Sequence, residues 1–298
     1  MTSLGLDLPT PTRASRARLR LAAVRRLPGG VLAGGTIVTL IILMALLAPV
    51  LAPSAPDSGS ISQRLWDIGT AGHPLGTDGQ GRDILSRLMW GARPTLVAGI
   101  LPVVIAGLLG TAFGLVAGLA KPWGRSAVMR TLDVVYAFPA ILLAIAIGAA
   151  LGPGVKNAVV SLSIVLIAPI ARVVESEVLR LRSADFMEAA RVSGASWPVI
   201  ALRQVLPNIA PPLIVYCTSL IGLSIVYAGG LSFLGLGVVP PDADWGSMLN
   251  DLRQNLYDRP LLSIIPAAAI FVASVGFNVL GDGLGKLFAV RERAGMIL

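Results

Sequence analysis

Residues 281–286, Gly-Asp-Gly-Leu-Gly-Lys, are the nearest that this chain comes to a nucleotide-binding motif. A phosphate-binding loop needs Gly-x-x-x-x-Gly-Lys followed by Ser or Thr, because its backbone amides cradle phosphates and its hydroxyl holds Mg²⁺. Here the glycine spacing differs, Leu287 follows the lysine, and the stretch ends an apolar run. We therefore expect this chain to bind no ATP, Mg²⁺ or other cofactor by itself.

The single histidine, His73, is followed by Asp78 and Asp83, which could be imagined as ligands of one metal ion. A turn-rich loop is the interpretation we favour, because the same segment carries the turn-forming residues Pro74, Gly76, Gly79 and Gly81. Nucleophilic catalysis has little support, since only serines near His73 have a histidine available. The one cysteine, Cys217, lies in an apolar run and excludes an intrachain disulfide, so we interpret it as a packing residue.

The composition is that of a membrane protein. Of 298 residues, 55% are hydrophobic and only 13% are charged, whereas soluble domains carry about 25% charged residues. A span needs about 20 apolar residues. We predict six transmembrane helices from the uncharged runs 27–56, 94–120, 134–155, 157–171, 204–241 and 260–281. The fourth helix extends past Arg172 toward Leu179, and Pro207, Pro211 and Pro212 delay the start of the fifth.

Charge predicts the orientation of these helices. If the N-terminal tail is cytoplasmic, that side of the membrane holds 17 Lys and Arg residues and the other side holds 7. This excess follows the positive-inside rule, so both termini are predicted to be cytoplasmic. The long apolar run after the basic residues 1–28 favours an uncleaved anchor over a signal peptide. The basic pI of 10.5 therefore reflects topology and does not indicate nucleic acid.

The helix centres carry no charged residue, and Asp133 and Asp282 stand at helix ends. Ion and proton carriers usually need an intramembrane charge, so we expect the energy for any transport to come from outside this polypeptide. Small residues four apart let helix backbones approach closely. They occur in the second and third helices, where we favour intramolecular packing over a subunit interface: Gly110, Gly114 and Gly118, then Gly148 and Gly152.

The external segments are predicted to contain short interfacial helices. Asp83 and Arg87 are spaced as an i,i+4 ion pair leading into the second span. In the last external segment, helical spacing predicts a helix lying on the outer membrane interface, built on Trp245, Met248, Leu249, Leu252 and Leu256.

Residues 185–208, DFMEAARVSGASWPVIALRQVLPN, interrupt the apolar pattern with charges, a glycine and two prolines. Asp185 can cap a helix that has Glu188 at its third position, in an Asp variant of the capping box. Gly194 can end that helix in a left-handed conformation. Ser196 can cap a second helix, which Pro207 stops. We predict a rigid cytoplasmic helix–turn–helix; periodicity alone leaves an ordinary amphipathic loop as the alternative.

This stretch resembles the EAA signature of ABC importer permeases. Glu188-Ala189-Ala190, then Gly194, then Leu206-Pro207 match it in order and spacing, although Gln204 occupies a position that is usually hydrophobic. Three further stretches resemble the DppC/OppC-type permeases of peptide and nickel importers: residues 73–96, 231–249 and 276–284. The chain departs from that family at Ala228, near which an acidic residue is usual, and in its FAVRER ending.

The resemblance implies an all-α membrane protein with six transmembrane helices, the type I ABC importer permease fold, in a bacterial cytoplasmic (inner) membrane. Its expected parts are a basic cytoplasmic tail, a first transmembrane helix, an external loop with a short interfacial helix, a five-helix permease core containing the coupling loop 185–207, and a cytoplasmic tail. Their predicted boundaries are 1–28, 29–52, 53–92, 93–288 and 289–298.

The resemblance also implies partners. A second homologous permease completes the pathway, two cytoplasmic ATPases bind ATP and Mg²⁺, and an external binding protein delivers the substrate. The chain itself is expected to have no enzymatic activity. In the coupling loop, Glu188 is expected to cap and orient the helix, Gly194 to make the turn and Arg191 to pair with an acid on the partner. The remaining loop residues are Ala189 and Ala190, which would pack against the ATPase, with Leu206 and Pro207.

Two other function classes stay open at this point. A membrane enzyme built on the His73 loop predicts activity in the purified chain that is lost in His73→Ala. An independent channel or carrier predicts flux in liposomes without ATPases. Within the resemblance, di- or oligopeptides are the expected substrates, and nickel chelates or another small solute are the alternative.

Overall fold

The chain folds into helices, and one long connection, residues 52–83, separates the first two long helices. The computed structural model describes residues 28–295, and side chains as far as residue 289. Nearly all of the predicted tail 1–28, and the last residues of the predicted tail 289–298, therefore lie outside the described residues. In the described part no strand forms, and the helices are α1 Gly29–Leu51, α2 Ile84–Leu119, α3 Pro122–Tyr136, α4 Ala140–Leu151, α5 Val155–Leu181, α6 Asp185–Val192, α7 Trp197–Val199, α8 Leu206–Phe233, α9 Trp245–Leu252 and α10 Pro260–Gly295.

Five helical segments are long and apolar enough to cross a membrane: Gly29–Leu51, Ile84–Leu119, Val155–Leu181, Trp197–Phe233 and Pro260–Ala289. Counting the bent pair α3 and α4 as one span gives six. The predicted all-α membrane fold is confirmed. The expectation that prolines delay the fifth span is wrong, because the helix continues through all three of them. Prolines are tolerated in membrane helices where local winding and neighbouring groups satisfy the freed carbonyls.

The third span is broken, which the apolar run 134–155 did not predict. Helix α3 ends at Tyr136 and α4 begins at Ala140, and the two axes meet at 80°. Pro139 precedes α4. A proline has no amide hydrogen and disfavours the α-conformation in the residue before it, so Phe138-Pro139 ends one helix before the next begins.

Helices α2 and α5 form the most extensive contact of the bundle. A Cβ atom added at Gly114 would lie 2.6 Å from the Cβ of Val174, and one added at Gly118 would lie 2.6 Å from the Cβ of Val178. Gly110 faces Ile170 in the same way. The predicted intramolecular role of this glycine stripe is confirmed. Gly152 differs, because it ends α4 with φ +85° instead of lying in a packed face.

The external helix α9 is built into the protein. Trp245, Met248 and Leu252 are buried, and the indole Nε1 of Trp245 donates a hydrogen bond to the Leu88 carbonyl at 2.9 Å. The helix packs against α2, α8 and α10. The predicted helix therefore forms, with its apolar face covered by other helices, and its place at the outer membrane interface stays a prediction. A capping box at Asp244, with Ser247 as its partner, starts the helix.

The first segment that is predicted to be external is held by a buried ion network. Arg87, 2% exposed, pairs with Asp78 at 2.7 Å and with Asp251 at 3.3 Å. Arg82 joins the same two carboxylates. The predicted Asp83–Arg87 pair is wrong: Asp83 caps α2 by accepting from the Ser86 amide at 2.7 Å, which aims its carboxylate away from Arg87.

Candidate functional site

Helix α6 begins the interrupted stretch and presents an acidic first turn. It spans Asp185–Val192, and its N-cap residue is Ala184, with no side-chain capping hydrogen bond. The predicted capping box is therefore wrong, because Asp185 already lies inside the helix. Glu188 likewise caps nothing here, and its side chain is exposed. Both carboxylates still lie near the positive end of the helix dipole, which favours them there.

Gly194 makes the turn that ends α6. Its φ is +75°, in the left-handed region that glycine adopts without strain. The Gly194 amide donates to the Arg191 carbonyl at 3.0 Å, and the Ala195 amide donates to the Ala190 carbonyl at 3.1 Å. These two bonds form a Schellman motif. The predicted glycine turn is confirmed.

The second half of the stretch is continuous with a membrane span. Ser196 precedes α7, although its side chain makes no capping hydrogen bond, and a π-helical turn Ile200–Val205 joins α7 directly to α8. The prediction that Pro207 stops this helix is wrong, because Pro207 lies in the first turn of α8. The wider winding of a π-turn gives room for the proline ring, which would strike a carbonyl in a regular α-helix.

One apolar cluster fixes the stretch to the rest of the bundle. Met187, Val205 and Ile209 are fully buried in it, together with Val174 and Val178 from the end of α5. Ala190 and Leu206 pack against the same cluster. Of the residues predicted to meet a partner, those left exposed are Glu188, Ala189, Arg191, Gly194 and Pro207. The arrangement is a short projection seated on the bundle, whose outer surface mixes charged, small and large apolar residues, and which we call the coupling projection (residues 185–207).

A family model described as "Binding-protein-dependent transport system inner membrane component" matches residues 110–294, which is more than half of the chain. The chain belongs to this family. A second model, the N-terminal TM domain of oligopeptide transport permease C, matches residues 30–67 of the permease. The resemblance to ABC importer permeases is therefore confirmed, and the permease is a multi-pass inner-membrane protein.

Characterised relatives cover most of the permease. The glutathione transport system permease protein GsiD of Pectobacterium atrosepticum is 41% identical over 252 residues, which is 85% of this chain and 84% of that protein. GsiD of Escherichia coli O6:K15:H31 is 41% identical over 247 residues, 83% and 82% of the two chains. The dipeptide transport system permease protein DppC of Alkalihalophilus pseudofirmus is 41% identical over 251 residues, 84% and 82%.

The His73 segment of the permease is a structural loop. The Nδ1 atom of His73 lies 3.0 Å from the Asp83 carboxylate, and Asp78 is occupied by Arg82 and Arg87. Among the side chains that the structure describes, residues 28–289, no group of three His, Cys, Asp or Glu could hold a metal ion. Gly76 and Gly81 have positive φ, as turn residues do. Burial raises the pKa of the Asp251 carboxyl beside this loop, and Arg82 opposes that rise.

Two features close to this site were not predicted from the sequence. One is the π-turn, for which no pattern rule exists, although two prolines and a glycine in residues 185–207 already marked the stretch as irregular. The other is a cavity of about 550 Å³ between α3 and α5, which collects charged side chains from distant positions. Arg125 pairs there with Glu175, and Arg172 pairs with Asp133.

Proposed function

We propose that this permease is one transmembrane subunit of an ATP-driven importer that moves di- or oligopeptides inward. The names of its relatives support this substrate class, because they transport glutathione and dipeptides. The match to an oligopeptide permease domain at residues 30–67 supports it independently. A nickel chelate or another small solute has no such support.

The coupling projection transmits movement from an ATPase to the membrane. The observation that carries this assignment is the unbroken helical path from Trp197 through the π-turn to Phe233. Because α8 packs against α2, α5 and α10, a push on the projection displaces a helix at the centre of the bundle. A flexible loop in the same place would absorb the push.

The other components follow from what the permease does not supply. Residues 281–286 lie inside α10, so their amides are committed to the helix and leave no loop to cradle phosphates. Two cytoplasmic ATPases bind ATP and Mg²⁺ in this proposal. A second homologous permease completes the pathway, and an external binding protein delivers the peptide. Both termini and the coupling projection lie on the cytoplasmic side.

The exposed surface of the projection forms the ATPase contact. Ala189 lets the partner approach closely, and Glu188 and Arg191 supply charge to the contact. Ala190 and Leu206 seat the projection on the bundle, since they pack against the buried cluster. Gly194 holds the angle between the two halves. Leu206 and Pro207 begin the span that moves.

Charge reversal at Glu188 tests the coupling role. Glu188 is exposed in the first turn of α6, so Glu188→Lys disturbs only the helix dipole, which costs about 0.3–1 kcal/mol and leaves the fold intact. We expect ATP-dependent peptide uptake by the assembled transporter to fall more than tenfold while the permease still reaches the membrane. Asp57→Lys, a charge reversal at an exposed carboxylate outside the projection, is the control. Normal uptake in Glu188→Lys contradicts the assignment, and so does an equal loss in both variants.

A further inference from the structure

A second cavity, of about 510 Å³, opens beside the broken third span. Residues 135–140 of the break form one wall, and helices α5 and α8 form the others. Its size falls in the range of small-ligand sites, about 300–1,000 Å³. We call this surface the tyrosine face, because the only polar side chains among its lining residues are Tyr136, Tyr216 and Tyr227.

The placement of these tyrosines does not suit contact with lipid. Tyr216 and Tyr227 are separated by about three helical turns, or about 16 Å along the α8 axis, and therefore share one face. Neither is buried, Tyr136 is 52% exposed, and among the side chains that the structure describes none of the three hydroxyls has a hydrogen-bond partner. An unpaired hydroxyl is costly in hydrocarbon. Their hydroxyls therefore face water, a polar ligand or a polar group of a neighbouring subunit.

The break between α3 and α4 gives independent support. Non-helical backbone at membrane depth is tolerated only where it is buried in protein or lines a water-filled cavity. Here the segment 137–139 lines the cavity. Broken helices of this kind form substrate sites in other membrane transporters, where the freed backbone groups bind the ligand.

Charge continues the path toward the predicted cytoplasmic side. The Arg172 guanidinium lies 4.6 Å from the centre of the Tyr136 ring, and Arg172 also lines the charged cavity between α3 and α5. A lining residue of each cavity therefore takes part in this contact. Four arginines line the charged cavity against two carboxylates, and Arg130 forms no ion pair among the described residues. The proposed path therefore begins at the tyrosine hydroxyls and ends at the arginine-rich cavity between α3 and α5.

We infer that the tyrosine face is this permease's half of the peptide path, with Tyr136, Tyr216 and Tyr227 in contact with the moving peptide. Tyrosine suits a varied peptide, because its ring accepts many side chains while its hydroxyl can donate to or accept from the constant backbone. The arginines at the inner end favour peptides with a free carboxylate. This inference rests on the proposed function and adds the residues that contact the substrate.

Conservative variants of the assembled transporter in proteoliposomes test the tyrosines. We expect the double variant Tyr216→Phe/Tyr227→Phe to import at least fivefold less peptide per ATP hydrolysed, while ATP hydrolysis stimulated by the loaded binding protein persists. Tyr257→Phe is the control, because Tyr257 is 94% exposed and lies outside the membrane spans. An unchanged ratio in the double variant overturns the inference. Absence of ATP-dependent uptake by the unaltered transporter would instead overturn the proposed function.

A photoreactive peptide tests the same contact without any substitution. A benzophenone-bearing dipeptide, activated during turnover, should label the segment 213–230 of α8 or the segment 135–140. Labelling confined to other segments of the permease contradicts the inference.

The charge preference has its own readout. Arg130→Gln should lower the uptake of a free-acid dipeptide relative to its C-terminal amide by at least threefold, because one positive charge at the inner end is lost. Arg64→Gln, at an exposed arginine of the external segment, should leave that ratio unchanged. An unchanged ratio in Arg130→Gln overturns the assignment of the inner end.

Discussion

Gly194 shows how much of the coupling projection depends on one backbone conformation. Its φ of +75° orients the Schellman motif, and an added Cβ would meet nothing within 4 Å. The requirement for glycine is therefore conformational and not steric. A substituted residue that tolerates the left-handed region should support transport, whereas a residue that cannot adopt that conformation should abolish it.

A matched pair of substitutions at Gly194 separates these cases. Gly194→Asn should retain more than half of the peptide uptake, because asparagine visits the left-handed region readily. Gly194→Pro should reduce uptake more than tenfold, because proline fixes φ near −65° and removes the amide that donates to the Arg191 carbonyl. Uptake by assembled transporters, normalised to permease in the membrane, is the measurement. Similar uptake by both variants would show that the turn does not matter for coupling.

Helices α2 and α5 pack against each other, and the coupling projection packs on the end of this pair that is predicted to be cytoplasmic. Gly114 sits in a tight contact, where an added Cβ would lie 2.7 Å from the Ala171 carbonyl oxygen. A Cβ atom added at Gly107, on the same helix, would have only the Cys217 sulfur within 4 Å, at 3.8 Å. The two positions differ in packing and share their helical context.

Alanine substitutions at these glycines should therefore differ in their effect on stability. Gly114→Ala should destabilise the permease by about 1–3 kcal/mol, the usual cost of overpacking. Gly107→Ala should be neutral or slightly stabilising, because alanine is the better helix former. Thermal unfolding of the two purified variants in detergent gives the comparison. An equal melting temperature would contradict the α2–α5 contact.

The π-turn sets the rotation of the coupling projection about the α8 axis. Deleting Leu202, which is 60% exposed, should convert the turn to α-helix and rotate everything before it by about 100°. The buried residues of α8 keep their places, so insertion into the membrane should be normal. We expect uptake to fall more than tenfold. Retained uptake in this deletion, measured as before, would mean that the projection need not be oriented by α8.

Several elements could be predicted because their cause is local. Uncharged runs marked the spans, four-residue glycine spacing marked the α2–α5 face, and Gly194 marked a turn. The features that were not predicted depend mostly on residues far away in the sequence. Helix α9 is buried because α2, α8 and α10 cover it, and Arg87 turns to Asp251, 164 residues away. The third span breaks because Phe138-Pro139 outweighs an apolar run that is otherwise long enough to cross.

Across the whole molecule, three parts bear on the proposed transport. A buried ion network fixes the segments that are predicted to be external, the tyrosine face lies beside the broken third span, and the coupling projection is predicted to lie on the inner side. Of these three parts, the projection is the one that continues as unbroken helix into α8, and α8 lines the tyrosine face. This connection explains how work done outside the polypeptide could change access within it.

Thiol cross-linking in the assembled transporter tests that connection most directly. The chain has a single cysteine, so Cys217→Ala provides a clean background for Ala189→Cys on the projection and Tyr257→Cys on the external segment. With a short bifunctional thiol reagent, position 189 should form a cross-link to an ATPase subunit, and position 257 should not. The account would be contradicted if the cysteine at position 189 formed no cross-link to an ATPase and reacted only with reagent added outside the membrane.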